Sequence, residues 1–210
     1  VLNNLLNFPD FNLAKTVKPL SESLSQLPAV AEAKFSIHHP NTVFDLASTA
    51  KKIVAKAKSL NQDVIVLCIG TDRSTGDSLG PLTGTKLKSI NLFPHVFGTL
   101  DEPVHATNLT KVIQSINSTF ANPYIIAVDA CLGKLENVGC VTIGLGSVKP
   151  GAAVNKELPA VGNAYITGIV NVGGFLEHMV LQSTRLNLVI KMADTIAYGL
   201  SFSLGRSHSN

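Results

Sequence analysis

Apolar residues recur along this chain in two rhythms. From Asn41 onward, Val43, Leu46, Ala47, Ala50, Ile53, Val54 and Ala57 follow helical spacing and place one stripe on one face. Pro40 stops what precedes, and Asn41 or Thr42 can cap the helix. The rhythm then changes. Residues 64–69 (Val-Ile-Val-Leu-Cys-Ile) form a continuous apolar run rich in β-branched side chains, as expected for a strand buried on both faces. A polar, glycine-containing loop (71–80) follows, then a helix with Pro81 in its first turn and Leu79, Leu82, Leu87 and Ile90 on its buried face. A second strand is predicted over 96–100. A third helix, capped by Thr107, buries Leu109, Val112, Ile113 and Ile116. Residues 124–128 read as another fully buried strand, ending at Asp129, with further strands at 138–143 and 165–170. Two helices, about 173–183 and 188–200, close the pattern.

Strand, loop and helix alternate through the middle of the chain. This predicts an α/β domain over residues 41–200, with a mostly parallel sheet and helices on both faces. Residues 1–40, with prolines at 9, 19, 28 and 40, read as an appendage in which 35–39 can form a short edge strand. Residues 201–210 read as a polar, frayed tail. In such sheets ligands gather beyond the carboxyl ends of strands. The 71–80 loop and Asp129 both fall there.

Composition narrows the function classes. Of 210 residues, 45% are hydrophobic and 15% charged, which excludes a disordered chain. A net charge of +3 with scattered basic residues gives no nucleic-acid footprint. No apolar stretch reaches the ~20 residues of a membrane span, and the first ten residues lack the pattern of a signal peptide. The start at Val1 suggests a trimmed native beginning. Cys68, Cys131 and Cys140 are odd in number and lack metal-type spacing, which fits a reducing, cytoplasmic setting.

Three acids follow strand-like runs: Asp72, Asp77 and Asp129. A carboxylate half out of a buried strand is partly desolvated, which favours its neutral form, and a second one close by favours sharing a proton. Such a pair can act as base toward water and acid toward a leaving amine. It can also hold a cation. Structural readings compete: Asp77 as a helix N-cap, Asp72 as an Asx-turn residue or partner of Arg73, and Asp129 as a turn former.

The segment 69–81 (Ile-Gly-Thr-Asp-Arg-Ser-Thr-Gly-Asp-Ser-Leu-Gly-Pro) resembles the germination-protease loop that carries one of two essential aspartates, matched by Asp77. Segment 128–138 resembles the one with the second, matched by Asp129, and 149–158 resembles a further loop. Over residues 63–200 the chain is most similar to the YyaC-type sporulation proteins, shorter relatives of that protease. The resemblance implies a three-layer α/β fold shared with hydrogenase-maturation endopeptidases. It also implies catalysis by Asp77 and Asp129, with Asp72, Arg73, Ser78, Lys149 and Asn155 toward the substrate. Neither metal nor cofactor is expected, and the partner is a peptide or protein, small spore proteins included; an oligomer is compatible. Lys149 stands where a His is expected in the germination protease, and the long extra parts of that protease have no counterpart.

Other chemistries fit these residues less well. A nickel site like that of hydrogenase-maturation endopeptidases needs a His, and none lies between His105 and His178. His178 reads as a surface or helix-packing residue, His105 as a loop residue able to approach the strand ends, and His38 with His39 as an exposed edge. Residues 76–79 spell Gly-Asp-Ser-Leu, the motif of GDSL esterases, but the Asp-x-x-His those enzymes need is missing. Cys131 lacks an obvious His partner. The resemblance thus implies a peptidase in a sporulating cell; the alternative is a non-catalytic peptide- or ligand-binding descendant of the same fold.

Overall fold

The computed structural model describes residues 32–90, 93, 95–150 and 159–205. Six strands form one sheet: β1 (Ala33–Ser36), β2 (Asp63–Cys68), β3 (Val96–Phe97), β4 (Pro123–Gly133), β5 (Cys140–Leu145) and β6 (Ala164–Val172). Their order is β1-β5-β6-β4-β2-β3. β3, β2, β4 and β6 are parallel neighbours, while β5 runs antiparallel to both β6 and β1. The helices are α1 (Thr42–Ser59), α2 (Leu79–Ile90), α3 (Leu109–Thr119), α4 (Glu177–Gln182) and α5 (Leu186–Leu204).

The alternation of β2 explains the layers. Val64, Val66 and Cys68 face one core, shared with α1, α2 and α5. Ile65 and Leu67 face a second, shared with Leu109 and Ile116 of α3. β4 repeats this, with Tyr124, Ile126 and Val128 on the first side and Ile125 and Ala127 on the second. Both strands are central, parallel and buried on both faces, as their apolar runs predict. The result is a three-layer α/β sandwich with a mostly parallel sheet. No helix among the described residues is long and apolar enough to cross a membrane.

Several boundaries differ from the sequence pattern. β4 does not end at Asp129 but continues to Gly133, because β6 pairs with it there, Asp129 opposite Thr167. The strand expected at 96–100 shrinks to two residues on the sheet edge. The helix expected from 173 begins at Glu177, after Gly174 and a left-handed Leu176 (φ 56°). The tail expected from 201 is still helix to Leu204, where Ser203 and Leu204 are buried. The expected appendage falls almost wholly outside the described residues; its last part, β1, is an edge strand of the main sheet.

Candidate active site

The chain leaves β2 for β3 on one side and returns through β4 to build the other, so the crevice at the carboxyl ends of β2 and β4 is a topological switch point. A cleft of about 770 Å³ opens there. The β2–α2 loop forms one wall. Gly70 (φ 147°) lets this loop close on itself: a Cβ there would lie 2.0 Å from the Asp77 carbonyl oxygen. That oxygen accepts the Thr71 N–H at 3.1 Å. Asp77 thus sits in a short 3-10 turn, Gly76–Ser78, leading directly into α2. No side-chain cap bond is made at this turn.

Asp129 extends the face of Ile125 and Ala127, where α3 is the helix packed on the sheet. Its Oδ1 accepts the N–H of Ala130 at 2.9 Å. Protein surrounds the carboxyl, and its residual exposure lies along the cleft that it lines. Burial pushes it up to about 8, against the help of that N–H, and the neighbouring Asp77 carboxyl pushes in the same upward direction. Asp77 is also raised by burial, but the Ser74 hydroxyl and the His178 imidazole both favour its charged form. The two aspartates therefore share one cleft, and the charge of Asp77 is felt at Asp129.

Of the residues expected to meet substrate, Arg73 and Lys149 line this cleft. Asp72 is exposed and is not among the lining residues. Ser78 is buried outside the lining, its hydroxyl donating to the Thr75 carbonyl at 2.7 Å, so it is not placed as an esterase nucleophile. Asn155 lies outside the described residues. Cys131 lines the cleft, but burial raises its thiol to about 11 and leaves it protonated at neutral pH. His105 lines the cleft as well, its Nδ1 2.9 Å from the Thr107 hydroxyl.

His178 is exposed, as its surface reading expects, but it also borders the site. α4 packs against the 76–78 turn, where Leu181 fills the space beside Gly76. One turn earlier, His178 lines the cleft, its Nε2 3.1 Å from Gln182 Nε2. The available signal was positional: α4 follows the carboxyl end of β6, as the Asp77 loop follows that of β2. Ser74 was not singled out either. Among the described residues no cluster of three or more His, Cys, Asp or Glu is arranged to hold a metal ion.

Fold and site define a class: a three-layer α/β protein with two half-buried aspartates lining one cleft at the switch point of its sheet. Within it, the chain belongs to the family described as protein of unknown function (DUF1256), whose model matches residues 34–199. It is similar to the uncharacterized protein YyaC of Bacillus subtilis (strain 168), 56% identical over 147 residues, which are 70% of this chain and 72% of that protein. Among solved structures, a NiFe hydrogenase maturation protease, HycI from Thermococcus kodakarensis KOD1, matches with a TM-score of 0.45 and 16% identity, covering 68% of this chain and 92% of that one.

Proposed function

We propose that this protein hydrolyses peptide bonds with Asp77 as base and Asp129 as acid. One observation carries the reading: two carboxyl groups, Asp77 from the loop after β2 and Asp129 from within β4, line one cleft in unlike surroundings. A pair whose environments push its members apart divides acid and base roles. At neutral pH Asp129 keeps its proton. Ser74 and His178 help Asp77 to lose its own. Asp77 takes a proton from water as the water oxygen bonds to the scissile carbonyl carbon. Asp129 gives its proton to the departing amine as the C–N bond breaks. Arg73 and Lys149 reach the bound chain from the rim. The resemblance of segments 69–81 and 128–138 to germination proteases supports the same assignment, with a peptide or small spore protein as substrate in the cytoplasm of a sporulating cell.

The test is cleavage of a peptide library by wild-type protein and by Asp77→Asn and Asp129→Asn. Asn is nearly isosteric with Asp but cannot exchange the proton, so each variant should lose about a hundredfold or more of the rate while still unfolding in one cooperative transition. Full activity in both would remove the aspartates from the chemistry. Peptide binding without cleavage by the wild type, across acidic and neutral pH and with divalent cations added, would make the cleft a binding site.

A further inference from the structure

We propose that Ser74 is a positioning residue of this cleft, its hydroxyl and the Asp77 carboxyl together holding the water used in hydrolysis. The inference rests on the aspartate-pair reading and names the group that aims its water. Ser74 lines the cleft, is only 5% exposed, and carries the one buried side-chain polar atom without a hydrogen-bond partner among the described residues. A buried hydroxyl left unpaired is unfavourable, and such groups usually find a partner nearby. The hydroxyls of Ser78 and Thr83 do so, donating to the carbonyls of Thr75 and Leu79. The Ser74 carbonyl is likewise used, accepting the Ser78 N–H at 3.0 Å.

The hydroxyl is used differently. It lies near enough to the Asp77 carboxyl to favour its charged form, yet it makes no hydrogen bond of good geometry. A water bonded to both groups completes the arrangement. It donates one hydrogen to the carboxylate and the other to Ser74 Oγ, leaving a lone pair for a peptide carbonyl. Ser74 is poorly placed as a nucleophile, because the two cleft imidazoles are engaged elsewhere, His178 with Gln182 and His105 with Thr107.

Crystal structures and kinetics of wild type, Ser74→Ala and Ser74→Thr test this. The wild-type crystal should show an ordered water within hydrogen-bond distance of Ser74 Oγ and an Asp77 carboxyl oxygen. Ser74→Ala should lose that water and up to about a hundredfold in kcat, with KM and melting temperature held; Ser74→Thr, which keeps a hydroxyl, should recover much of the rate. A Ser74→Ala protein with a lower melting temperature and wild-type kcat would make the hydroxyl structural, and a wild-type crystal without the bridging water would overturn the proposal. The bridging water in a wild type that cleaves no peptide would support the water site while removing the hydrolase reading.

Discussion

Asp129 carries a pH dependence with a definite sign. Its folded-state value is about 8 against an ordinary 3.8, so the native protein holds a proton there that the unfolded chain has released. Stability from this group is full below about 4 and declines as pH rises through about 8. For one proton the slope is at most about 1.4 kcal/mol per pH unit. Denaturant unfolding from pH 4 to 9 should show wild type weakening across that window, with Asp129→Asn much flatter and the more stable of the two at pH 9. Equal slopes would contradict the burial of this carboxyl. His178 bears on the other aspartate. Since its imidazole favours the charged form of Asp77, His178→Gln should move the Asp77 titration upward, read by carbon NMR of the carboxyl. An unmoved titration would detach His178 from the site. Neither aspartate's environment was legible from its neighbours in sequence. The pattern pointed to both residues, but burial raises each of them, and at Asp77 part of the offset comes from a helix a hundred residues further on.

At the scale of elements, the loop after β2 is set by close backbone approach. Gly70→Ala would thrust a methyl into the Asp77 carbonyl at a φ that side chains rarely adopt. A loss of about 1–3 kcal/mol or more is expected in chemical unfolding, with Asp77 displaced. A variant as stable as wild type would show that the loop has an alternative path. The sequence pattern marked this loop as polar and glycine-bearing but could not say that its glycine touches the aspartate seven residues on. β2 and the first part of β4 were readable because strands buried on both faces lose all polar alternation. The end of β4 was not: a polar Asp129 looks like a strand end, and only pairing with β6 carries the strand to Gly133. The orientation of β5 was equally hidden, since a strand's direction leaves no mark on its side-chain order.

For the whole molecule, alternation of strands and helices indicated a mostly parallel sheet, and the strand-end rule indicated where chemistry gathers. The rule said nothing of which strands adjoin. That came from the order in which β6 and β4 lie side by side. Asp129 therefore belongs to the ladder itself. The strand carrying it is paired with β2 as far as Val128 and with β6 beyond, and the Ile69 N–H reaches the Val128 carbonyl at 2.7 Å. Amides of residues 125–128 should exchange with solvent only through global opening, as slowly as any in the protein, in a native-state hydrogen-exchange experiment. Faster exchange there than in α5 would show a sheet that opens locally. The wider consequence concerns heat. A side chain mounted on a hinged loop can lose its place while the rest of a protein stands, but Asp129 is woven into the fabric that defines the native state. Warming should leave its geometry untouched until the fold gives way, so the loss of this carboxyl's placement and the collapse of the fold arrive as one event.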